Sequence, residues 1–373
     1  MARVLFVEPF FSGSHRTLVE GLVRHSKHSI HPLTRPGDQW RQRMRRGAQE
    51  LAPEALEAPG RFELIVATDM LDLPAFLALT RSRFAATPAL LFMHENQFTY
   101  PRVKGTKFNS WFGQINYLST LVADRVSFNS NYHKADFLGA LRQLTTEPNN
   151  WLVNERIQAI ENKSTVLPLG VELSGLDTFR DRVGKDAGEP PLVLWNHRWE
   201  FDKAPDMFVR TLVRLASEEI PFRIAVAGEP GPNPHPALRD LPEHFGSRVI
   251  HHGFARDREE YGKLLWKSKV VVSTTRHEFF GVGMIEALYC EAWPVAPNSF
   301  TYPELVPPEL QSHCLFESES DFYRLLKKVL TDGAPTGDHL LRLAVERFDW
   351  KHAVGAWDDA IDSVLRGGAH TRP

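Results

Sequence analysis

Short apolar segments alternate with longer amphipathic segments along the whole chain, which is the pattern of strands and helices in parallel α/β sheets. In the first half the apolar segments predict strands at residues 4–7, 62–68, 89–93, 125–129 and 166–169. In the second half they predict strands at residues 192–195, 222–227, 249–252, 270–274 and 294–296. Helical periodicity lies between them and continues in a tail over 318–366, interrupted around 333–337. We therefore expect an α/β protein with two Rossmann-like, doubly wound sheets.

The stretch between the two series of strands is rich in glycine, proline and charged residues, which is typical of a linker. The chain has 373 residues, more than the roughly 100–200 of a typical single domain. We expect a first domain over residues 1–170, a linker over 171–190, a second domain over 191–348, and a final helix and tail over 349–373. Because ligands of open α/β sheets bind at the carboxyl ends of the strands, two such domains facing each other would form a cleft.

Composition narrows the class of protein. Hydrophobic residues make up 42% and charged residues 24% of the chain, which excludes a disordered, collagen-like or coiled-coil protein. The two cysteines, Cys290 and Cys314, are too few for a disulfide framework and lie in no paired metal-binding motif. The first residues lack the long apolar core of a signal peptide, and no segment approaches the roughly 20 apolar residues that span a bilayer. We expect a cytoplasmic protein without stable membrane association.

Basic residues are concentrated in the first half. The formal net charge is −2, yet basic side chains outnumber acidic ones by four in residues 1–180 and are outnumbered by six in residues 181–373. The densest group consists of Arg41, Arg43, Arg45 and Arg46. One interpretation is a solvated helix face. The other is contact with a polyanion, because clustered arginines bind phosphates.

Several common catalytic motifs are missing from the sequence. It contains no GxxxxGK[ST], no GxGxxG after the first strand, and no HExxH, GxSxG or paired CxxC. A P-loop nucleotidase and a typical dinucleotide dehydrogenase are therefore excluded. There is also no Asp-x-Asp, a motif with which proteins hold Mg²⁺ or Mn²⁺ on a nucleotide diphosphate. We expect no metal and no cofactor.

Without a metal, a diphosphate leaving group needs protein cations and backbone N–H groups to stabilise its charge. Arg198 and Lys203 stand five residues apart, in the loop between a predicted strand and the next helix. The arginine offers a bidentate fork and the lysine a point charge, a combination that suits two phosphates near a helix N-terminus. The alternative is a surface salt bridge between Lys203 and Glu200.

A second candidate element joins the strand at 270–274 to the following helix. Glu278 and Glu286 are separated by seven residues, and Gly281 and Gly283 between them allow backbone amides to approach a ligand. Both carboxylates can then face one site at the carboxyl edge of the sheet. The alternative is a loop acid together with a capping carboxylate near a helix start.

These elements resemble a known group of enzymes. Glu278–Glu286 is similar to the E-x7-E element of retaining GT-B glycosyltransferases of family 4, and Arg198 with Lys203 is similar to their phosphate-binding pair. The first half resembles more narrowly the tRNA-queuosine α-mannosyltransferases, through the following segments: Val7-Glu8-Pro9-Phe10-Phe11-Ser12-Gly13-Ser14-His15, Phe92-Met93-His94-Glu95-Asn96-Gln97 with Tyr100-Pro101, and Val126-Ser127-Phe128-Asn129-Ser130. Those enzymes transfer mannose from GDP-mannose to the cyclopentenediol of queuosine in a tRNA anticodon.

The resemblance implies a GT-B fold, with an acceptor-side first domain, a nucleotide-sugar-binding second domain and a last helix that crosses back to the first. It also implies a role for each matching residue. The donor site would comprise Gly13 and Ser14 near the diphosphate, Arg198 and Lys203 on the phosphates, Glu286 on the ribose, Phe254 at the base, and Glu278, Phe279, Gly281, Val282 and Gly283 at the sugar. His94 would contact the sugar near the anomeric carbon, unless it is a packed core histidine. The acceptor residues would be His15, Asn96, Arg41, Arg43, Arg45 and Arg46.

The same resemblance implies retention by attack on the face from which the diphosphate departs. The acceptor hydroxyl attacks, a phosphate oxygen takes its proton, and the protein supplies positioning and charge, with His94, Glu278, Arg198 and Lys203 as catalytic residues. One alternative is a family 4 transferase acting on a lipid, polysaccharide or small metabolite, because residues 40–46 partly fit a basic amphipathic membrane face. Another is a non-catalytic tRNA- or nucleotide-binding protein on the same scaffold. The complete set of charged site residues argues against this last alternative.

Overall fold

All strand pairs in the described part of the chain are parallel, and the strands form two separate sheets. The structure is a computed structural model that describes residues 1–101, 110–146, 152–183, 188–231, 234–335 and 337–368. The chain divides into two compact units. Unit 1 comprises Met1–Val171 and Trp350–Pro373, and unit 2 comprises Glu172–Asp349.

Unit 1 contains a six-stranded sheet. Its strands are β1 (Arg3–Phe11), β2 (Ser29–Pro36), β3 (Leu64–Thr68), β4 (Ala89–Met93), β5 (Arg125–Phe128) and β6 (Ser164–Val166). Its helices are α1 (Gly13–His25), α2 (Trp40–Glu57), α3 (Leu73–Leu79), α4 (Arg81–Phe84), α5 (Ser110–Val122), α6 (Asn131–Leu144) and α7 (Asn154–Asn162). The strand order is β2-β1-β3-β4-β5-β6. Since β2 and β3 lie on opposite sides of β1, the topological switch point falls between β1 and β3.

Unit 2 contains a second six-stranded sheet. Its strands are β7 (Leu192–Trp195), β8 (Arg223–Ala227), β9 (Val249–Gly253), β10 (Val270–Val272), β11 (Trp293–Pro297) and β12 (Leu315–Phe316). Its helices are α8 (Pro205–Ser217), α9 (Pro236–Arg239), α10 (Leu241–Phe245), α11 (Arg258–Lys267), α12 (Val282–Tyr289), α13 (Tyr302–Leu305), α14 (Gln311–Cys314), α15 (Glu319–Asp332) and α16 (Asp338–Glu346). The order β12-β11-β10-β7-β8-β9 is that of a dinucleotide-binding sheet, with the switch point between β7 and β10.

The last helix, α17 (Trp350–Gly368), belongs to unit 1, so the chain crosses back as the fold class requires. Trp350 packs where two glycines leave room, because a Cβ on Gly21 would lie 2.0 Å from its ring and one on Gly170 would lie 2.4 Å away. The Trp357 indole donates to the carbonyl of Pro168 at 3.0 Å. Buried aromatic side chains therefore hold this helix on unit 1.

Part of the predicted linker is folded onto unit 2. Residues Ser174–Arg182 form a 3₁₀ segment, and Leu176 in it is fully buried. Its carbonyl accepts a hydrogen bond from the Trp266 indole of α11 at 2.8 Å. The buried leucine explains the difference from the prediction, since an apolar anchor holds a segment that is otherwise rich in charge. Residues 184–187 of the predicted linker lie outside the described residues.

Among the helices described, none combines the length and the apolar character needed to cross a bilayer.

Candidate active site

In unit 2 the loop after β7 lies against the loop after β10, on either side of the switch point. The backbone N–H of Arg276 donates to the carbonyl of Asp202 at 2.7 Å, and the Thr274 hydroxyl donates to the carbonyl of Lys203 at 2.8 Å. Lys203 lies in a short 3₁₀ segment, Phe201–Lys203, just before α8. These bonds explain why residues distant in sequence, Lys203 and Glu278, meet at one edge of the sheet.

Lys203 is buried among acceptors. Its Nζ lies 3.2 Å from Asp202 Oδ2 and 3.5 Å from Glu278 Oε2, and it donates to the carbonyl of His277 at 3.0 Å. The alternative of a surface salt bridge between Lys203 and Glu200 is therefore wrong. Glu200 instead pairs with Arg198, whose side chain is 57% exposed, with 3.3 Å between Nη1 and Oε1.

The charges of this cluster are fixed near neutral pH. Burial lowers the pKa of Lys203, but the carboxylates of Glu278 and Asp202 outweigh burial and raise it above its usual value. Burial raises the pKa of Glu278, but Lys203 and His197 lower it below its usual range. Burial and the neighbouring ammonium lower the pKa of His197 to about 4. The site therefore holds an ammonium at Lys203, an ionised carboxylate at Glu278 and a neutral imidazole at His197.

The junction between β10 and α12 orders Glu278. Gly281 has φ +83°, a left-handed conformation that favours glycine, and α12 begins at the next residue. Glu278 Oε1 accepts hydrogen bonds from the backbone N–H groups of Phe280 at 3.3 Å and Gly281 at 3.1 Å. One carboxylate oxygen thus caps the turn, as the alternative interpretation expected, while the other faces Lys203.

Glu286, five residues into α12, is buried and already bound on both oxygens. Oε1 accepts from Arg258 Nη1 at 2.6 Å, and Oε2 accepts from the Tyr261 hydroxyl at 3.0 Å. Sequence reasoning missed these two residues of α11. Their spacing of three on a predicted helix, which places them on one face, is a signal that could have found them.

Phe254 follows the edge strand β9, and its side chain is 73% exposed. In the sheet order one strand, β8, lies between β9 and β7. Exposure of a large aromatic ring at the carboxyl edge suits a group that stacks on a ligand.

In unit 1 the chain turns sharply from β1 into α1. Gly13 is the first residue of this helix and has φ +50°. A Cβ added at Gly13 would meet no heavy atom within 4 Å, so this turn borders open space. The next residue, Ser14, stands in the first turn of the helix, where backbone N–H groups lack helical partners and can bind an anion.

Four buried titratable side chains meet near the switch point of this sheet. Glu8 lies on β1, His15 on α1, Asp69 just after β3 and His94 just after β4. Glu8 Oε2 lies 2.8 Å from His15 Nδ1, and the rings of His15 and His94 stack with their centroids 3.8 Å apart. The sequence singled out the two histidines and missed both acids, whose apolar surroundings concealed them.

Two expected acceptor residues are buried. Asn96 is fully buried, its amide donates to Asp136 at 3.2 Å, and its oxygen accepts from the backbone N–H groups of Phe98 and Thr99. His15 is 5% exposed and bound to Glu8. Because both side chains are buried and hydrogen-bonded to protein groups, the structure argues against direct contact of either residue with RNA.

The four arginines lie in the first two turns of α2 and differ in their surroundings. Arg41, Arg45 and Arg46 are exposed, and none of them lies within ion-pair distance of a carboxylate in the ranges that the structure describes. Arg43 is half-buried and paired, with Nη2 at 2.7 Å from Asp38 and Nη1 at 3.2 Å from Glu50. The prediction of four available cations is corrected to three.

Ligand atoms of Glu8, His15 and His94 lie within 4.8 Å of one another, which is the spacing of a candidate metal site. The ring stack argues against this, since imidazole lone pairs lie in the ring plane and nearly parallel rings do not direct them to one point. The Nδ1 of His15 is also occupied by Glu8 at 2.8 Å. A shared proton suits this arrangement better than an ion does.

Comparisons with known proteins identify both halves of the chain. Residues 3–171 match the family described as tRNA-queuosine alpha-mannosyltransferase N-terminal. Residues 177–342 match the family described as glycosyl transferases group 1. The tRNA-queuosine alpha-mannosyltransferase of Drosophila melanogaster is 31% identical over 312 residues, which cover 82% of each chain. A GDP-mannose-dependent alpha-(1-6)-phosphatidylinositol dimannoside mannosyltransferase of Mycobacterium tuberculosis is 25% identical over 209 residues, or 54% of this chain and 53% of that one.

Solved structures support the fold. Sucrose-phosphate synthase from Thermosynechococcus elongatus superposes with a TM-score of 0.74 at 15% identity, covering 98% of this chain and 100% of that one. Anabaena HepE in complex with UDP and glucose gives 0.68 at 15% identity, covering 97% and 100%. Together with the two strand orders, these matches show the GT-B fold with its two Rossmann-like sheets. The chain is a glycosyltransferase and belongs to the tRNA-queuosine alpha-mannosyltransferase family.

Proposed function

We propose that the protein transfers mannose from GDP-mannose to the cyclopentenediol of queuosine in tRNA, with retention of the anomeric configuration. The match to the tRNA-queuosine enzyme of Drosophila over 82% of both chains supports the acceptor. The name of the mycobacterial relative supports GDP-mannose as the donor. The observation that carries the chemistry is the buried Lys203 beside Glu278 at the switch point of unit 2.

On the donor side, Lys203 and Arg198 bind the diphosphate and stabilise the charge that develops as it leaves. The contact of Lys203 with Glu278, at 3.5 Å, is longer than its contact with Asp202, at 3.2 Å. A phosphate oxygen therefore replaces the Glu278 contact more readily, which releases that carboxylate to accept hydrogen bonds from sugar hydroxyls. Glu286, held by Arg258 and Tyr261, accepts from the ribose.

In unit 1, Gly13 and the Ser14 amide approach the diphosphate, and His94 contacts the sugar near the anomeric carbon. Burial, followed by the charges of His15 and His133, lowers the pKa of His94 well below its usual value, so its imidazole is neutral. The acceptor hydroxyl attacks from the face that the diphosphate leaves, and a phosphate oxygen takes the proton. The residues supply position and charge, and no side chain acts as a nucleophile.

A lipid acceptor is the second candidate. Trp40 and the three exposed arginines form a basic, aromatic end of α2, and Trp111 on α5 is 53% exposed. Surfaces of this kind also bind anionic bilayers. The family membership favours tRNA, and the substrates proposed for it favour a cytoplasmic location.

The test uses nucleotide sugars with labelled sugar groups and three acceptors, namely queuosine-containing tRNA, queuosine-free tRNA and anionic liposomes. We expect label on the queuosine nucleoside alone, measured by nucleoside mass spectrometry, with GDP-mannose as the preferred donor. Label in the lipid fraction would establish the second candidate. Absence of label on queuosine with every nucleotide sugar would exclude the proposed reaction.

Glu278→Gln tests the sugar contact, because it preserves size and removes charge. We expect donor use to fall by ~10–100-fold, since hydrogen bonds to a charged group contribute about 1.5–3 kcal/mol. Single-turnover rates and calorimetric donor binding measure this. Normal binding and turnover together with a lower melting temperature would show that Glu278 only caps the turn.

Chelation tests whether a metal assists the leaving diphosphate. We expect EDTA to leave the initial rate unchanged, because Lys203 and Arg198 supply the cationic charge. Initial rates are compared before dialysis against EDTA, after it, and after addition of Mn²⁺ or Mg²⁺. Loss of activity that either ion restores would contradict the metal-independent mechanism.

A further inference from the structure

Glu8, His15, Asp69 and His94 form a buried cluster of ionisable side chains, and the proposed reaction assigns a role only to His94. Both carboxylate oxygens of Glu8 are occupied, since Oε2 binds His15 Nδ1 at 2.8 Å and Oε1 accepts from the backbone N–H of Phe10 at 2.7 Å. Burial lowers the pKa of His15, but the carboxylate of Glu8 outweighs burial and raises it to about 9. His15 is therefore an imidazolium at neutral pH.

His94 is held against this cation by its backbone and its ring. The backbone N–H of His94 donates to Asp69 Oδ1 at 2.7 Å, and its backbone carbonyl accepts from the side-chain amide of Asn129 at 2.8 Å. Its ring stacks on His15 with an angle of 27° between the planes, and meets the ring of Phe92 edge-on, with centroids 4.8 Å apart. Its Nε2 is buried and has no hydrogen-bond partner among the described residues. An unpaired buried nitrogen is unfavourable unless a ligand binds it.

Two stacked imidazoles at this distance cannot both be positively charged without strong repulsion. The position of Glu8 decides which ring is charged, because, of the two rings, its carboxylate hydrogen-bonds only to that of His15. We propose that Glu8 and His15 are positioning residues for His94: Glu8 keeps His15 cationic, and the stacked cation holds the His94 ring in one orientation, uncharged, with Nε2 left for the donor sugar. This inference rests on the proposed contact of His94 with the sugar.

Other titratable groups also face the cluster, from neighbouring elements. They are Asp69 after β3, Glu95 after β4 and His133 on α6. Burial raises the pKa of Asp69 above its usual value, so a pH–rate profile alone cannot be assigned to one group. The imidazoles must be observed directly.

The first experiment is a pH titration of the full chain labelled with ¹⁵N-histidine, followed by long-range ¹H–¹⁵N correlation spectra. We expect one ring to stay protonated up to about pH 9, with its signals missing in His15→Gln. A second ring should stay neutral at pH values where an ordinary histidine is already protonated, with its signals missing in His94→Gln. In Glu8→Gln the pKa of His15 should fall toward that of an ordinary histidine, so that the ring is mostly neutral at pH ~7. A neutral His15 at pH 7 in the wild type, or a cationic one in Glu8→Gln, would overturn the assignment.

The second experiment measures turnover of the same variants. We expect Glu8→Gln and His15→Gln each to lower kcat by ~10–100-fold while the donor KM changes little, because a displaced reacting group affects chemistry more than binding. Glu8→Gln should also gain an acidic limb in its pH–rate profile, since His94 can then accept a proton. Asp362→Asn is the control, because it removes a carboxylate 3.5 Å from another buried histidine of unit 1, His28. It should leave kcat unchanged.

The two experiments separate the possible failures. If wild-type protein transfers no sugar, the proposed function fails, and the titration still decides whether the pair of Glu8 and His15 exists. If the titration is as expected but both variants turn over normally, the positioning role is wrong. A loss of thermal stability alone, with unchanged kcat, would show that the cluster only supports the fold.

Discussion

Lys203→Ala is expected to lower the turnover number by about two to three orders of magnitude, the effect of removing one preorganised group that stabilises developing charge. It should also destabilise unit 2. The substitution leaves Glu278 and Asp202 close together without their ammonium, and removal of one partner of a buried ion pair costs about 3–5 kcal/mol. Calorimetric melting curves and steady-state rates at 25 °C measure the two effects on the same preparation.

Two further variants separate chemistry from stability. Arg198→Ala removes an exposed side chain, so it should lower turnover with little change in the melting curve. Lys163→Ala removes a partly buried ammonium of unit 1 that donates to the carbonyl of Leu121 at 2.8 Å, so it should lower stability and leave turnover per folded molecule unchanged. Wild-type turnover in Lys203→Ala would remove the phosphate assignment. So would equal reductions of turnover in Lys203→Ala and Lys163→Ala.

The sequence could bring Lys203 and Glu278 together because their positions follow from sheet topology. Lys203 follows one predicted strand and Glu278 follows another, and parallel strands bring their carboxyl ends to one edge. What the pattern could not supply was the partner of each charge. Lys203 was paired in the alternative interpretation with its near neighbour Glu200, whereas the fold places it beside Asp202 and Glu278. Glu278 lies 75 residues from Lys203 in the sequence, so this pairing depends on loop conformation, which periodicity does not encode.

In the first half of the chain, the sequence pattern missed one strand and two acidic residues of the buried cluster. Edge strand β2 was missed because Pro32 and Pro36 interrupt its apolar pattern, and an edge tolerates the missing N–H groups. Glu8 lies within a strand of mostly apolar residues and Asp69 directly follows another, so each acid was missed as an isolated polar position. Their burial gives them their significance, since an ionisable group inside a core needs a compensating partner. Only the folded structure shows that His15 supplies it for Glu8.

The basic end of α2 is unusual on electrostatic grounds. Acidic side chains are favoured at a helix N-terminus, where the helix dipole is positive, yet the first turn of α2 contains none and four arginines follow Trp40. The guanidinium of Arg41 lies over the ring of Trp40 at 4.5 Å, and that of Arg45 lies 5.3 Å from the ring of Phe112. A cluster that opposes the local field is better explained by an external anion than by helix stability. Anion binding there also gains from the dipole itself.

The final prediction tests whether that anion is the tRNA backbone. Reversal of the three exposed arginines, as Arg41→Glu, Arg45→Glu and Arg46→Glu together, should raise the tRNA KM by at least ~10-fold at low salt. It should also reduce the slope of log KM against log salt by about 0.9 for each phosphate that the protein no longer neutralises. Arg43 is left in place because its ion pairs with Asp38 and Glu50 support the helix, so its reversal would confuse binding with folding.

The matched control reverses the same number of charges elsewhere, at Arg182, Arg239 and Arg324 of unit 2, whose side chains are all more than half exposed. Both triple variants have the same net charge, so non-specific attraction of tRNA falls equally in the two. Donor KM should stay normal in both variants. A lower salt slope in the α2 variant alone shows that a few localised arginines bind the RNA, which is how a protein of net charge −2 can still act on a polyanion. Equal slopes in the two variants would make the α2 arginines an ordinary solvated surface, and normal tRNA use with weaker binding to anionic liposomes would assign them to a membrane instead.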